Sequence, residues 1–319
     1  MADPTPFREF YATVLLPALT RLEQRRRSLA KIAAGCIALL AVIAGLALFG
    51  VRENGLAAYI LLGLALLGLA IWFFSGQSAF RHEFKDQIVT AVVRNFSDGL
   101  CYHARGSISR ARFVDGELFK QRIDRYRGED HVSGALGATA FEFSEIHAEY
   151  KTTTRTKNGT RTTWHTVFKG LYFIADFNKH FSGHTVVLPD SLQSAFGFLG
   201  QKLQSLNFTR GELVKLEDPE FEKAFVVYGD DQVEARYILT PALMRRLLEL
   251  KAKVGGRVYV SFAGSHVHVA IPSAKNHFEP RLFGTLLDPA AIEQYHDDLR
   301  LVTGIIEDLN LNTRIWTKA

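Results

Sequence analysis

Two long apolar segments lie near the start of the chain. Residues 32–51 and residues 56–74 contain no Asp, Glu, Lys, Arg or His, and only the sequence RENG separates them. Each segment is close to the roughly 20 residues that an α-helix needs to cross the hydrocarbon core of a bilayer. Neither has the polar face of a helix packed on a soluble protein, so a buried soluble hairpin is the poorer interpretation. A signal peptide also fits poorly because a second apolar segment follows. We therefore predict a transmembrane helical hairpin over residues 30–75.

Basic residues lie at the outer ends of the two apolar segments and are almost absent between them. They are Arg25, Arg26, Arg27 and Lys31 before the first segment, and Arg81 and Lys85 after the second. Because Lys and Arg stay on the cytoplasmic side, this distribution predicts two spans in an inner membrane with both termini in the cytoplasm. Residues 1–29 repeat apolar positions at helical spacing, which predicts an amphipathic cytoplasmic helix that lies on the lipid surface or docks on the soluble domain.

The remaining residues, 76–319, mix strand and helix patterns. Asn158-Gly159 between two threonine-rich stretches predicts a β-hairpin, with Tyr150 opposite Val167 and Ile146 opposite Leu171. Residues 171–177 are apolar on both faces, which is typical of a central strand. The fold class predicted is α+β: a mixed cytoplasmic domain with an antiparallel sheet, either one body or two subdomains at 76–207 and 208–319.

Helix starts are marked by capping residues. Thr240-Pro241, Asp288-Pro289 and Asp218-Pro219 each precede helical spacing, and a further helix is predicted over residues 190–206. Two more hairpins are predicted, with turns at residues 229–231 and 263–265. Strand, turn, strand and helix would then occur twice as a ββα repeat. Residues 112–123 are predicted as helical, and the helix of the second span is predicted to continue to residue 96.

Composition and charge exclude some classes of function. The chain has 319 residues, a net charge of +5 and a pI near 9.1. The two cysteines, Cys36 and Cys101, are too few and too far apart for a disulfide framework, which suits a reducing compartment. The apolar segments carry no charge at membrane depth, so they lack the groups of a transporter or proton relay and are interpreted as an anchor. An oligomeric membrane assembly is an alternative, although no polar residue would line a pore.

Two groups of residues are candidates for chemistry. Residues 126–134 are predicted to be a loop that gathers the candidate catalytic residues Arg127, Glu129, Asp130 and His131. The simpler alternative is that these charged residues favour a turn and have no catalytic role. His266 and His268 alternate on a strand and are candidate metal ligands; the alternative is that both face water while Val267, Val269 and Ile271 face the core. His180 and His184 flank a glycine and give a weaker pattern. No phosphate-binding loop or nucleophile motif is present, and no cofactor is predicted.

The predicted hairpin carries a basic cluster without neighbouring acids. Its members are Lys151, Arg155, Lys157, Arg161 and Lys169, with Trp164 and His165 beside them. Basic and aromatic residues bind nucleic-acid phosphates in some proteins, but no nucleic-acid-binding motif accompanies them here. Lipid headgroups are the nearest phosphates to an anchored domain, so the cluster is interpreted as a surface for anionic lipid or a protein partner. The alternative is a solvated hairpin tip.

Several segments together resemble a bacterial family of uncharacterised inner-membrane proteins. They include DRYRGEDHVSG, FEFSEIHAEYKT, HTVFKGLYFIADFNK, EDPEFEKAFVVYGDDQVEARYILTP and DLNLNTRIW. The resemblance implies two N-terminal transmembrane helices, a cytoplasmic α+β domain of unknown function, and a membrane partner of the LemA type. It implies no activity, cofactor or catalytic residue.

The sequence therefore predicts a membrane-anchored cytoplasmic binding or scaffold module that recognises a protein partner or an anionic lipid surface. A membrane-bound hydrolase or metal-dependent enzyme is the alternative, as is one component of a homo-oligomer.

Overall fold

The chain divides into two compact units, one of residues 1–95 with 278–296 and one of residues 96–277 with 297–319. The computed structural model describes residues 5–49, 55–156, 159–177, 179–190, 211–309 and 311. The predicted helix at 190–206, the turn between the two apolar segments, Lys157 and the last eight residues lie outside these ranges, except that residue 190 itself is described.

Two long helical segments dominate the first unit. The first comprises α1 (Thr5–Phe10), a π-helical turn (Tyr11–Leu15) and α2 (Leu16–Phe49). The second comprises α3 (Gly55–Phe84), a π-helical turn (Lys85–Val89) and α4 (Thr90–Phe96), which confirms the predicted continuation to residue 96. Both contain windows long and apolar enough to cross a membrane, with mean hydropathies of 2.0 and 1.9, and these windows are almost unburied.

The N-terminal helix docks on the segment 278–296 of its own unit. The Tyr11 hydroxyl donates to the Leu287 carbonyl at 2.9 Å, and the Leu286 N–H donates to Glu23 at 3.0 Å. Arg26 and Arg27 hold the same carboxylate at 2.8 and 2.9 Å. The helix thus packs on protein of its own unit, and the predicted positions on lipid or on the soluble domain stay predictions.

The flanking basic residues of the second helix are also ion-paired within this unit. Lys85 and Arg81 contact Glu279 at 2.8 and 3.3 Å. Pairing does not cancel their influence on orientation, since the rule counts Lys and Arg and takes little account of Asp and Glu.

The second unit is built on one antiparallel sheet, which confirms the α+β fold. Among the described residues the sheet has nine strands in the order β1-β2-β3-β4-β9-β8-β5-β7-β6. The strands are β1 (Leu100–His103), β2 (Arg125–Leu136), β3 (Thr139–Thr156), β4 (Gly159–Asp176), β5 (Thr185–Pro189), β6 (Glu212–Val214), β7 (Phe225–Gly229), β8 (Tyr259–Ala263) and β9 (His266–Pro272). Strand β4 lies in the interior of the sheet, between β3 and β9, and is buried from residue 170 to residue 175, as its apolar pattern predicts.

The shorter helices are α5 (Arg110–Asp115), α6 (Pro219–Ala224), α7 (Gln232–Ile238), α8 (Pro241–Val254) and α9 (Pro289–Asp308). Of these, α6, α8 and α9 begin where the capping residues predict. The Thr240 hydroxyl accepts the Leu243 N–H at 3.3 Å at the start of α8. Gly255 ends that helix at φ 65°, a left-handed conformation that glycine adopts without strain.

Three predicted elements are wrong. The second strand predicted after residues 229–231 is helix α7, because the Asp231 carboxylate caps it by accepting the N–H groups of Val233 and Glu234 at 2.7 and 3.0 Å. The predicted ββα repeat is therefore wrong as well, because it required that second strand. The helix predicted over residues 112–123 is only α5, which stops at Gly116, a residue of poor helix propensity.

The predicted hairpin exists, but in another register. Thr156 pairs with Gly159 and Tyr150 pairs with His165, so the connection starts one residue earlier than predicted. A bulge that adds Val167 then places Ile146 opposite Gly170. Thr152 and Thr153 pair with Thr163 and Thr162. A bulge inserts one unpaired residue and cannot be seen in the alternation of side chains.

The second unit buries apolar side chains on both faces of the sheet. Phe113, Phe168 and Tyr172 belong to one cluster, whereas Phe143 and Phe173 are buried on the opposite face. The hairpin of β8 and β9 is confirmed, with Ala263 paired to His266. His268 is only 4% exposed, however, so the prediction that both histidines face water is wrong for this residue.

Candidate functional site

The four residues predicted to share a catalytic loop lie instead on strand β2. A bulge between Glu129 and Val132 turns the strand, and Asp130 there adopts φ 58°. Asp130 is fully buried and accepts a hydrogen bond from the Tyr102 hydroxyl. The loop prediction is wrong because β1 and β3 pair with this segment on either side, and that pairing is non-local.

These four residues do not converge. Arg127 and Glu129 line a cleft on one face of the sheet. His131 contacts Glu142 at 2.7 Å on the other face, where Arg112 also binds Glu142. Burial alone would raise the pKa of Glu142, but the hydrogen bond from His131 and the charge of Arg112 outweigh it and keep that pKa below its usual value. This arrangement is a structural ion-pair network.

A basic face extends from β2 across the β3–β4 hairpin. Paired residues of neighbouring strands share a face, and Arg127 pairs with His147, which pairs with Lys169. Continuing along β3 by steps of two places Lys151 and Arg155 on the same side. We use the name basic face for Arg125, Arg127, Lys151, Arg155 and Lys169.

The outer part of the hairpin is a two-stranded ribbon. Strand β2 accompanies β3 only as far as Glu149, and β9 accompanies β4 only from Gly170. Residues 150–156 and 159–166 therefore pair only with each other among the described residues. We call these residues the ribbon. Its side chains are largely exposed, so it presents charge to its surroundings.

Packing holds the base of the ribbon in place. The Arg125 guanidinium lies 3.7 Å from the ring centre of Trp164, which is 37% exposed, and Arg125 also pairs with Glu149 at 3.1 Å. The Lys151 N–H donates to Asp124 at 2.9 Å. On the opposite face, His165 stacks on Tyr150 at 4.8 Å, and Arg161 lies on that face too. Arg161 is therefore separate from the basic face.

A cleft of about 360 Å³ lies at the inner end of the basic face. It is lined by Arg127, Glu129, Glu145, His147, Lys169 and Lys275, among others. Arg127 and Lys169 have no ion-pair partner among the described residues, whereas Lys275 pairs with Asp298 at 3.2 Å. Burial raises the pKa of Glu145 to about 7, against the hydrogen bond that its Oε1 accepts from the His277 N–H at 2.5 Å.

A second cleft, of about 370 Å³, is lined by His184 from one histidine pair and by both members of the other pair. It is lined by Arg112, Asp115, Glu117, His184, His266 and His268, with Ala263 and Gly264. We call it the histidine cleft. His180 is exposed and contacts Ser265 at 3.2 Å, and it does not line the cleft. In the sequence, the histidines form two separate pairs. Strand β8 pairs with both β5 and β9, and this pairing brings His184, next to β5, to the same cleft as the two histidines of β9.

His268 forms the floor of the histidine cleft. Its Nδ1 lies 3.2 Å from the Tyr172 hydroxyl, which also donates to the Phe113 carbonyl at 3.3 Å. Burial, with the nearby His266 and Arg112, lowers the pKa of His268 to about 3, so its ring is neutral at physiological pH. Gly116 packs directly against this ring, and a Cβ there would lie 2.7 Å from Nδ1.

Sequence reasoning missed Arg125, Asp115 and Glu117. Arg125 joins the basic face through strand pairing, and the two acids reach the histidine cleft because α5 ends beside it. No short-range pattern indicates either arrangement.

Comparison with known proteins adds a family match over part of the chain. A family model described as "Protein of unknown function (DUF3137)" matches residues 166–311. That range contains most of β4, strands β5 to β9 and helix α9, but only part of the basic face and of the histidine cleft. No curated protein matches the chain.

Among solved structures, the chain is similar to the mycobacterial trehalose monomycolate transport factor A, TtfA, as seen in its crystal structure. The identity is 10%, the TM-score is 0.33, and the similarity covers 67% of this chain and 96% of that one. A similarity at this level supports no inference about function.

Proposed function

We propose that this protein is a membrane-anchored binding module of the bacterial inner membrane, whose cytoplasmic domain binds an anionic lipid surface through the basic face. The observation that carries the proposal is the set of basic side chains on one exposed face of the ribbon and its base. Lys151 and Arg155 have no ion-pair partner among the described residues, like Arg127 and Lys169.

The long helices support the anchoring part of the proposal. Their apolar side chains point away from the protein: Ile37, Leu61 and Phe74 are 66%, 68% and 66% exposed. Each large apolar side chain moved from water into hydrocarbon contributes roughly 1.5–3 kcal/mol, so two such helices favour insertion strongly. Insertion with both outer ends in the cytoplasm also follows from the flanking basic residues.

Charge supports the lipid part. A basic residue near an anionic leaflet contributes about 1 kcal/mol, and this attraction falls within a Debye length. Four unpaired cations on one face therefore suffice for reversible contact when an anchor already keeps the domain near the bilayer. The partly exposed Trp164 suits the same setting, because tryptophan favours the boundary between lipid and water.

Amide hydrogen exchange of the full chain in lipid nanodiscs tests the proposal. We expect peptides from residues 159–166 to exchange more slowly in nanodiscs containing phosphatidylglycerol than in nanodiscs of phosphatidylcholine alone. Raising the salt to 0.5 M should remove the difference. The double substitution Lys151→Glu with Arg155→Glu should remove it as well.

Arg161→Glu provides the matched control, because Arg161 lies on the same ribbon but on the opposite face. This variant should keep most of the difference between the two lipids. Equal exchange in both lipids would refute a lipid-binding face. Slower exchange that appears only with a membrane protein fraction would assign the basic face to a protein partner instead.

A further inference from the structure

We propose that the histidine cleft binds a transition-metal dication such as Zn²⁺ through His184, Glu117 and His266. The site is independent of the basic face and of lipid binding. It is formed by the end of α5, the residue before β5 and the start of β9, all within the second unit.

His184 is oriented for metal binding. Its Nδ1 lies 3.0 Å from an oxygen of Asp230, and its backbone N–H donates to the same oxygen at 2.9 Å. An ionised carboxylate only accepts hydrogen bonds, so Nδ1 carries the proton and Nε2 presents its lone pair. Metal-binding histidines in proteins are commonly held by a carboxylate in this way.

Glu117 lies where it shares a cation with His184. Its Oε1 is 3.9 Å from His184 Nε2. Two ligand atoms that each lie about 2.0–2.1 Å from one Zn²⁺ are at most about 4.2 Å apart, so an ion fits between them without any movement of the backbone. Glu117 adopts φ 53°, an uncommon conformation for a residue other than glycine, and such conformations cluster at functional sites.

His266 supplies the third ligand. Its ring centre lies 6.2 Å from that of His268, and it is partly exposed where His268 is buried against Tyr172. Among the described residues of this cleft, no three ligand atoms lie within 4.8 Å of one another, so the proposed site requires the His266 side chain to rotate towards His184 and Glu117 when the metal binds. Two imidazoles with one carboxylate form a ligand set typical of zinc and of Fe(II).

Two cations compete with the metal. Lys120 pairs with Glu117, and Arg112 lines the cleft. Lys120 is three residues from Glu117 on an accessible surface, and a divalent ion with a higher charge displaces it. Arg112 is already occupied by Glu142. These groups lower the affinity but leave the ligand atoms reachable.

Calorimetric titration of the chelator-treated full chain in detergent with ZnCl₂ tests the site. We expect binding of one Zn²⁺ per chain that His184→Ala and Glu117→Gln each weaken at least tenfold. Asp230→Asn should weaken it roughly tenfold, since it removes only the carboxylate that orients His184. Co²⁺ should give the intense visible absorption of a four-coordinate site, and His266→Ala should reduce that absorption.

His180→Ala is the matched control, because His180 is four residues from His184 and outside the cleft. It should leave zinc binding unchanged, and thermal melts should show that every variant folds. Absence of stoichiometric zinc binding would overturn the proposal. So would binding that is unchanged by both His184→Ala and Glu117→Gln.

Discussion

The carboxyl group of Glu145 lies near basic side chains and nevertheless has a raised pKa. It lies in the cleft at the inner end of the basic face, beside Arg127 and Lys169. Burial nevertheless raises its pKa to about 7, and the charges of Asp130 and Glu129 add to that effect. The basic face therefore gains net positive charge as the pH falls through neutrality.

Replacement of Glu145 by glutamine should make stability less dependent on pH. The pKa of Glu145 is raised from 4.5 in the unfolded chain to about 7 in the folded one, so the folded state keeps a proton that the unfolded state releases. The free energy of unfolding of the wild type therefore falls as the pH rises from 4.5 to 7. The glutamine variant avoids this loss, which amounts to roughly 3 kcal/mol at most.

Thermal melts of both full chains in detergent at pH 5 and pH 8 measure this effect. The melting temperature of Glu145→Gln should match that of the wild type at pH 5 and exceed it at pH 8. Glutamine still accepts the His277 N–H through its carbonyl oxygen, so this contact is kept. An identical difference between the two proteins at both pH values would contradict the raised pKa.

At the scale of elements, local signals and non-local pairing differ in how well a sequence reveals them. Thr240, Asp218 and Asp288 begin helices as predicted, because a cap and the N–H groups it accepts lie within three residues. The charged segment at residues 126–134 was predicted as a loop because its pairing with β1 and β3 depends on residues far along the chain. The hairpin register differs from the prediction because the connection starts one residue earlier, and the bulge at Val167, which the alternation of side chains does not reveal, then changes the register a second time.

The candidate sites show the same difference between residues that are close in the sequence and residues that only the fold brings together. Sequence alone identified the basic cluster at Lys151, Arg155 and Lys169, since those residues are close together in the chain. It could not place Arg127 with them, because β2 had first to be recognised as a strand. Nor could it bring Glu117 to His184, which lies 67 positions later.

Asp231→Ala should destabilise the domain by about 1 kcal/mol, the usual effect of losing a helix N-cap. Asp231 accepts two N–H groups at the start of α7, and alanine leaves both without this partner. Chemical denaturation of the full chain in detergent measures the change, and Asp231→Asn, which keeps an oxygen acceptor, should restore most of it. Unchanged stability of the alanine variant would contradict the capping role of Asp231.

At the scale of the whole molecule, the anchor and the domain make different demands on their surroundings. The long helices expose apolar side chains, which suits the anchoring role proposed for them, whereas the sheet domain exposes a basic face that needs water or anions. An anchor restricts the domain to a layer beside the membrane, so weak contacts of the basic face become effective there. The proposed lipid contact requires the domain to lie on the cytoplasmic side of the membrane, where it faces anionic headgroups.

Labelling of Cys101 determines that side. Cys101 is an exposed free thiol on β1, whereas Cys36 lies within the apolar helix α2. We expect a membrane-impermeant maleimide to label the chain in inside-out membrane vesicles and to leave it unlabelled in intact spheroplasts, with Cys101→Ser abolishing the signal. In the Cys101→Ser chain, Glu53→Cys places a thiol between the two predicted spans and should give the reverse pattern, because basic flanks favour a cytoplasmic position for both outer ends. Labelling of Cys101 in intact spheroplasts would place the basic face on the outer side of the membrane, and its proposed role at the cytoplasmic leaflet would then be wrong.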